Sequence, residues 1–528
     1  MDARFFLAVI LQTRPNLPAR ERSRILAAVS SHDGTADMAA TRNLLAIDLG
    51  AESGRGVLGR FDGKTIALDV VHRFPNGPVP TLDTLHWDVL RLHGDILSAL
   101  RLAGAKGGLD SVGVDTWGVD FALLGRGGTL LDNPRHYRDP HTERMMDRAF
   151  QTVPKAEIYR RTGLQFMRFN TLYQLLSLKD AHSPLLDAAD TLLFIPDLFH
   201  YLLTGIKVNE FTDASTSQML DPFSRGWAYD LVQKFGLPTK MLGTIVPPGT
   251  VLGPLRTSIA TDTGVTPVPV VAPATHDTGS AVAAVPARGK SWAYISSGTW
   301  SLMGAELPQP LVNDDTLAAN FTNEGGVAGT TRLLKNIMGL WLVQECRRAF
   351  AKGGRDYGYD ELVKLAEAAP PFASLVDPDD AAFILPPSMP QAIADACRKT
   401  GQPAPSEPGA VVRACLESLA LKYRWVLEKL ETLIGRRLDV IHVVGGGSQN
   451  ALLCQWTADA CGRPVLAGPV EATALGNVMV QAMGLGLLGS LADGREVVRR
   501  SVEVVTYEPK ESGRWDEQWP RFTKLVRG

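Results

Sequence analysis

The sequence has few cysteines, no long apolar run and no block of basic residues, and each absence excludes a class of protein. Its five cysteines form no Cys-x-x-Cys pair, which argues against a disulfide framework or a thiolate metal site. No window of 18 apolar residues occurs, so no transmembrane helix is expected. The net charge is −2, and the dispersed basic residues disfavour nucleic acid or a membrane as partner. We expect a cytoplasmic protein with reduced, buried thiols.

The length of 528 residues is too great for one hydrophobic core and predicts two domains. Residues 1–40, which are apolar at first and then polar, are interpreted as an N-terminal extension that is poorly ordered. We expect an N-terminal domain over 41–285, a C-terminal domain over 286–512 and a C-terminal tail over 513–528. A cleft between two such domains is the usual place for a ligand.

The two halves of the chain begin with the same pattern of strand, polar turn and strand. In the first half the pattern is NLLAIDLGAESGRGVLGRF, residues 43–61, and in the second it is KSWAYISSGTWSLMGAE, residues 290–306. Asp62 and Gly63 then predict a hairpin between the second and third strands. The segment DVIHVVGGGSQNALLCQWTADAC, residues 439–461, predicts a buried strand, a glycine turn and a helix. The fold class is therefore predicted to be α/β.

Three glycine-bearing turns are candidates for binding phosphate. They are residues 50–55, 296–299 and 445–448, and each follows a predicted strand. Successive backbone N–H groups in such turns can point at phosphate oxygens, and glycine permits close approach. Two other glycine motifs are not expected to bind phosphate. GRFDGKT, residues 59–65, lies in a hairpin, and GLGLLG, residues 484–489, follows a helix and not a strand.

Two aspartates occupy positions where a carboxylate needs an explanation. Asp277 lies in VAPATHDTGSAV, among small and apolar residues, where burial without a partner is costly. It either caps a helix or acts on a ligand. Asp48 ends the first strand, so it is either a strand-end cap or a magnesium ligand that acts through water. Mg²⁺ commonly takes one or two carboxylates together with phosphate oxygens.

An ordered set of motifs resembles the FGGY family of carbohydrate kinases, which share the duplicated fold of the actin-like ATPases. The resemblance extends over about residues 44–509 and implies two actin-like (ribonuclease H-like) domains with a catalytic cleft between them. The motifs are DLGAESGR, HRFPNG, VDTWGVDF, YRDPHT, FNTLYQL, THDTGSAV, SSGTWSLMG, TNEGG, LKNIMGLWL, VVGGGSQN and GPVEATALGN.

The resemblance implies a role for individual residues, with ATP as co-substrate and Mg²⁺ as cofactor. In this interpretation Asp277 is the catalytic base, which accepts a proton from the sugar hydroxyl. The residues implied to bind ATP are Ala51, Glu52, Ser53, Gly54 and Arg55 from the first domain, and Thr299, Gln344 and Gly446 from the second. The residues implied to bind the ketose are Gly118, His276, Asp277, Thr278 and Asn336.

The implied reaction is transfer of phosphate from ATP to the 1-hydroxyl of L-rhamnulose. L-fuculose or a xylulose is the alternative substrate, and an actin-like, nucleotide-dependent binding module is the alternative function. Glu52 departs from the family pattern, because its negative charge near phosphates is unfavourable unless the side chain points away or meets the metal. Trp117 is expected either to stack on the sugar or to fill the core. We expect a monomer or a weak homo-oligomer.

Overall fold

The computed structural model of this chain describes residues 41–526, and the expected N-terminal extension over 1–40 lies outside the described residues. Within the described range the halves of the chain each form a mixed sheet with helices packed around it. Among the helices of residues 41–526, none is long and apolar enough to cross a membrane. All five cysteines are buried and unpaired, which confirms the expectation of core thiols.

The first half is built on a six-stranded sheet in the order β13-β14-β6-β1-β2-β3. Parallel pairing joins β1 to β6 and β6 to β14, and the other neighbours are antiparallel. The strands of this half are β1 Arg42–Leu49, β2 Ser53–Phe61, β3 Ile66–Pro75, β4 Val79–Thr81, β5 Thr84–His86, β6 Ser111–Thr116, β7 Phe121–Leu124, β8 Thr191–Phe194, β9 Asn209–Glu210, β10 Leu220–Asp221, β11 Gly226–Trp227, β12 Ile245–Val246, β13 Thr250–Pro254 and β14 Pro269–Ala272.

The helices of the first half cover the sheet and build a second layer beside it. They are α1 Val89–Gly104, α2 Met145–Thr152, α3 Lys155–Thr162, α4 Thr171–Asp180, α5 Pro184–Ala188, α6 Ile195–Thr204, α7 Phe211–Ala214, α8 Tyr229–Lys234, α9 Thr257–Thr263 and α10 Asp277–Ala283. Local chemistry sets several boundaries. The Asp88 side chain accepts a hydrogen bond from the Arg91 N–H at the start of α1. Asp62 accepts from the Lys64 and Thr65 N–H groups in the β2–β3 hairpin, which confirms the predicted turn.

The second half repeats this arrangement in a sheet with the order β17-β18-β16-β15-β19-β20-β21. Parallel pairing joins β15 to β19 and β19 to β20, as it joins β1 to β6 and β6 to β14 in the first half. The strands are β15 Trp292–Ser297, β16 Trp300–Leu307, β17 Thr322–Gly325, β18 Thr331–Met338, β19 Val440–Val444, β20 Val465–Ala467 and β21 Val505–Tyr507. The duplication suggested by the sequence is therefore present in the strand order.

The helices of the second half pack around one large core. They are α11 Asp314–Ala318, α12 Trp341–Lys352, α13 Tyr359–Ala368, α14 Met389–Lys399, α15 Pro408–Ile434, α16 Ala451–Cys461, α17 Ala472–Gly484, α18 Leu491–Ser501 and α19 Ser512–Thr523. The 27-residue α15 begins with a proline and ends at Gly435, which has a φ of 68°. The segment separated as a C-terminal tail contains α19, whose Trp515 and Phe522 are buried in this core.

Helices α10 and α17 lie between the two sheets, and each packs on the sheet of the other half. Residues Ala281 and Val282 of α10 join a cluster with Tyr294 of β15. Leu475 and Val478 of α17 join a cluster that contains β1 and β2 side chains. This exchange of helices ties the two halves together and places the first residue of α10 at their junction.

The two exchanged helices approach backbone to backbone at Gly476, and this contact can be tested. A Cβ atom at Gly476 would overlap the carbonyl oxygen of Ser280 in α10. Gly476→Ala should therefore lower the free energy of unfolding by about 1–3 kcal/mol, because neither backbone can yield easily. Thermal and urea denaturation measure the effect.

The matched control is Gly94→Ala, also within a helix. A Cβ atom there meets nothing within 4 Å, so the change should be neutral or should stabilise the protein by up to about 1 kcal/mol. Equal loss of stability in both variants would contradict the close-contact argument.

Candidate active site

A cavity of about 260 Å³ lies between the halves, where the carboxyl ends of the parallel strands of both sheets meet. Ligands of α/β proteins commonly bind at this edge. The residues that line it are Asp48, Gly50, Ala51, Arg55, Trp117, Gly118, Val119, Tyr137, Leu164, Gln165, Met167, Phe169, Asn170, Thr216, His276, Asp277, Thr278, Ser296, Ser297, Gly298, Thr299, Trp300, Leu302, Thr322, Glu324, Asn336, Gly445, Gly446 and Thr473.

The turn after β1 places an arginine at the junction of the two halves. The Gly50 N–H donates to the Ser53 carbonyl at 3.0 Å and closes the turn. Arg55 donates from Nε and Nη2 to Asp48 Oδ2, at 3.0 and 2.7 Å. Its Nη1 lies 3.0 Å from Glu471 Oε2, just before α17. The Asp48 carboxylate is the main reason that the pKa of Arg55 is raised, so the guanidinium stays charged.

The cavity brings together part of the residue set expected to bind ATP. Ala51, Arg55, Thr299 and Gly446 line it, whereas Glu52, Ser53, Gly54 and Gln344 do not. The Glu52 carboxylate lies 2.5 Å from Arg348 on α12. A Cβ atom at Gly54 would overlap the Phe74 ring, so this glycine is required by packing. The Oε1 atom of Gln344 is buried without a hydrogen-bond partner within the described residues.

The two glycine turns of the second half pack directly against each other. A Cβ atom at Gly447 would overlap the Ser297 hydroxyl, and one at Gly445 would lie 3.0 Å from the Ser297 carbonyl oxygen. Gly445 also has a φ of 83°, which favours glycine. Gly446, in contrast, has nothing within 4 Å of a built Cβ and borders the cavity. The glycines therefore allow two backbone segments to line one end of the cleft.

Asp277 is the first residue of α10, and its side chain borders the cavity with 31% of its surface exposed. His276 holds the N-cap position and makes no capping hydrogen bond. The Asp277 Oδ1 atom accepts only from its neighbour Thr278, at 2.5 Å from N and 3.1 Å from Oγ1. Asp277 is therefore not a conventional N-cap, whose side chain would accept from an N–H two or three residues along the chain.

The surroundings of Asp277 favour a carboxylate that can take up a proton. Burial raises its pKa, His276 opposes the rise and the charge of Asp48 adds to it. Asp115, which pairs with Asp48 across β6 and β1, is fully buried, and burial and Asp48 raise its pKa as well. Asp48 therefore lies between two carboxyl groups whose pKa it raises, Asp115 behind it and Asp277 at the cavity, and Arg55 offsets its charge.

All five residues expected to bind the ketose line the cavity. Gly118 packs against Thr216, since a Cβ atom would lie 2.9 Å from its methyl carbon. The Asn336 N and Nδ2 atoms donate to Gln165 Oε1 at 2.9 and 3.2 Å. Trp117 borders the cavity but stacks on Trp87 at 3.8 Å between ring centroids.

Asp120 explains why these two tryptophans lie where they do. Its Oδ2 atom accepts from the indole N–H of Trp87 at 2.6 Å and of Trp117 at 3.0 Å. Burial raises the pKa of Asp120 to about 7, and these hydrogen bonds limit the rise. Sequence reasoning left Asp120 without a role, and the structure gives it this structural one.

Sequence reasoning also missed several residues of the cavity. Glu324 and Thr322 come from the TNEGG motif, which was noted but had no assigned role, and Phe169 comes from FNTLYQL. Gln165 had no sequence signal, because it lies in a loop before α4 and reaches Asn336 only in the folded chain.

The fold and the site together define a class of protein. Two halves with the same strand order enclose a cleft that is lined by glycine turns and by a carboxylate among polar groups. This is the architecture of a two-domain, actin-like phosphotransferase. The chain belongs to the FGGY family of carbohydrate kinases. The model of the N-terminal domain of this family matches residues 43–284, and that of the C-terminal domain matches residues 293–485.

Similar proteins with a curated name extend over almost the whole chain. A protein named rhamnulokinase from Bacteroides thetaiotaomicron is 46% identical over 487 residues, which is 92% of this chain and 100% of that protein. Rhamnulokinase of Pectobacterium carotovorum is 44% identical, covering 92% of this chain and 97% of its own. Rhamnulokinase of Oceanobacillus iheyensis is 40% identical and covers 88% of this chain and 97% of its own.

Solved structures share the fold at low sequence identity. Xylulose kinase of Lactobacillus acidophilus, with a bound ligand, has a TM-score of 0.76 at 16% identity and covers 92% of this chain and 97% of its own. Glycerol kinase of Plasmodium falciparum with ADP has a TM-score of 0.73 at 16% identity and covers 93% of this chain and 100% of its own. These likenesses confirm the predicted α/β fold with two domains.

The different surroundings of Arg55 and Glu52 predict different effects on substitution. Arg55→Met should lower the free energy of unfolding by about 1–3 kcal/mol, because Asp48 would remain buried without its partner. It should also weaken ATP binding more than tenfold. Glu52→Ser should lower the free energy of unfolding by at most about 1 kcal/mol, since the ion pair of Glu52 with Arg348 is exposed. Thermal unfolding and titration calorimetry with ATP measure both, and a larger loss of ATP affinity in Glu52→Ser would refute this ranking.

Proposed function

We propose that this chain is an L-rhamnulose kinase, which transfers the γ-phosphate of ATP to the 1-hydroxyl of L-rhamnulose in L-rhamnose catabolism. The products are L-rhamnulose 1-phosphate and ADP. The proposal is supported by similarity to proteins named rhamnulokinase at 40–46% identity. The single structural observation that carries the kinase chemistry is the Asp277 carboxylate, which borders the same cavity as the glycine turns and makes no N-cap hydrogen bond.

The proposed mechanism needs positioning and one proton transfer. Asp277 accepts the proton of the ketose 1-hydroxyl as that oxygen forms a bond to the γ-phosphorus. The bond from the γ-phosphorus to the bridging oxygen of ADP breaks, and ADP leaves with that oxygen. The raised pKa of Asp277 makes the carboxylate a stronger proton acceptor than a free aspartate. Closure of the two halves would exclude the water that otherwise hydrolyses ATP.

The proposed binding roles follow the two ends of the cavity. At the nucleotide end, we assign the ATP phosphates to the turn over residues 51–55, with Thr299, Gln344 and Gly446 on the other side of the nucleotide. At the sugar end, we assign the ketose to Gly118, His276, Thr278 and Asn336, beside Asp277. The support is that these sugar-side residues and half of the nucleotide set border one cavity.

We include Mg²⁺ in the proposed reaction, with Asp48 as its ligand through water. Within residues 41–526, no group of three or more His, Cys, Asp or Glu side chains is arranged to hold a metal ion. That fits an ion bound mostly by phosphate oxygens and water, with one or two carboxylates. Both Arg55 hydrogen bonds reach Asp48 through Oδ2, and Asp115 Oδ1 is buried without a partner. When bound with ATP, the ion would neutralise phosphate charge.

We also propose a cytoplasmic location, a monomeric or weakly associating chain, and a domain boundary near residue 285. Unpaired thiols at all five cysteines support a reducing compartment. The exposed large apolar residues of the described range are scattered along the chain, as in Leu82, Leu90 and Phe223, which supports weak association at most.

The first test measures ADP release with Mg-ATP and a panel of ketoses that contains L-rhamnulose, L-fuculose and D- and L-xylulose. L-rhamnulose should give the highest kcat/KM. Asp277→Asn should lower kcat about 10²–10⁴-fold, the usual contribution of a general base. Asp262→Asn, an exposed aspartate paired with Arg101, is the matched control and should keep wild-type activity.

The outcomes separate the parts of this proposal. Preference for another ketose would overturn the substrate and retain the kinase. Wild-type turnover in Asp277→Asn, or no stimulation by any sugar, would overturn the catalytic role and favour a nucleotide-dependent binding module.

The nucleotide assignment is tested at Gly446, where a side chain fits without steric conflict. Gly446→Asp should raise the Kd for ATP at least tenfold, because a negative charge would face the phosphates. The Kd for the ketose should stay within about twofold. Gly446→Ala is the neutral control and should change ATP affinity little. Calorimetry with each ligand measures the effect, and weaker sugar binding with unchanged ATP binding would show that the ends of the cavity are assigned wrongly.

A further inference from the structure

A line of polar contacts crosses from the second half of the chain to Asp277. Arg332 on β18 donates from Nη2 to His276 Nδ1 at 3.1 Å. The other nitrogen of that ring, Nε2, lies 3.5 Å from Asp277 Oδ1. Arg332 is fully buried, and its Nε donates to the Gly325 carbonyl at 2.7 Å. The guanidinium is therefore held in place independently of the histidine.

The contact with Arg332 selects one tautomer of His276. A guanidinium has only N–H donors and does not lose its proton in proteins. The Nδ1 atom that faces it must therefore present a lone pair. A neutral imidazole then carries its hydrogen on Nε2, the nitrogen that faces Asp277. The hydrogen on Nε2 can thus point at the carboxylate.

The other protonation states of His276 conflict with its surroundings. Glu324 Oε2 lies 3.3 Å from Nδ1 and could accept a hydrogen from it. That hydrogen, however, would also face the N–H groups of Arg332, which lies 3.2 Å from the same Glu324 oxygen. Burial acts to raise the pKa of Glu324, but the charge of Arg332 leads the effects that outweigh it and keep the pKa below its usual range. Glu324 and Arg332 thus balance each other's charge.

We propose that Arg332 is a positioning residue that holds His276 in its Nε2–H tautomer, so that the imidazole donates to Asp277 and orients the carboxylate toward the sugar hydroxyl. The inference rests on the proposed role of Asp277 as base. Asp277 and His276 come from the first half, whereas Arg332 and Glu324 come from the second. The base is therefore correctly oriented only when the two halves are together.

The tautomer can be read without turnover. The protein is labelled with ¹⁵N-histidine, and the His276 signals are assigned by their loss in His276→Gln. In the wild type, Nδ1 should show the shift of an unprotonated acceptor and Nε2 that of a protonated nitrogen. In Arg332→Met this pattern should change to a mixture or to the Nδ1–H form. A folded wild-type protein with hydrogen on Nδ1 would overturn the proposal by itself, whether or not any variant folds.

Kinetics test the effect on the base. Without the hydrogen bond from Nε2–H, ionised Asp277 is less stabilised, so its pKa should rise. The other acidic groups coupled to Asp277, namely Asp48 on β1, Asp115 on β6 and Asp213 on α7, stay unchanged. In Arg332→Met the acid limb of kcat should therefore move up by about one pH unit. The kcat should fall about tenfold, with the KM for ATP unchanged.

Two variants separate positioning from a loss of stability. Arg332→Lys keeps a donor and should restore part of kcat and of the pH profile. Arg413→Met removes a different, largely buried arginine of the second half, one that pairs with Glu417 on α15, and should lower stability without moving the acid limb. An acid limb that stays in place in Arg332→Met, or moves equally in Arg413→Met, would refute the proposal. If no ketose is phosphorylated but the tautomer depends on Arg332, the proposed function fails and the positioning of His276 is supported.

Discussion

The backbone contact between α10 and α17 at Gly476 and Ser280 is the constraint on which the site depends. Helix α10 begins at Asp277, and α17 begins one residue after Glu471, which pairs with Arg55. Each helix packs on the sheet of the other half. Asp277 and the partner of Arg55 are thus attached to one helix crossing, so a movement of either half would displace both groups in the cleft.

A buried polar network holds α17 in register on the first sheet. Asn477 donates to Asp115 at 2.5 Å, and Gln481 donates to the Leu45 carbonyl at 3.0 Å and accepts from the Ser111 hydroxyl at 2.6 Å. Buried polar groups are costly when unpaired, so a shift of the helix by one turn would leave several without partners. The network also keeps Asp115 beside Asp48, and their mutual repulsion forms part of the electrostatics around Asp277.

Much of the fold could be predicted from local sequence. The Asp62-Gly63 hairpin and the strand before Gly445 follow from turn chemistry and the pattern of apolar residues, which depend on near neighbours in the chain. The motifs of the FGGY family led to the cleft and to Asp277. The packing role of Gly54 under Phe74, and the part that Trp117 plays with Asp120, depend on residues far along the chain and could not be predicted.

The sequence by itself determined the α/β class, the duplication, the glycine turns and the position of Asp277 at a helix start, because each is a pattern of residue types at short spacing. Only the tertiary structure decided which partners these groups meet. In the folded chain Glu52 forms an ion pair with Arg348 and Gln165 accepts a hydrogen bond from Asn336. Arg332 contacts the His276 ring in the same way across a long stretch of sequence. Those contacts join residues separated by 56 to 296 positions, and no local pattern encodes them because their geometry is set by how the two sheets and the exchanged helices pack.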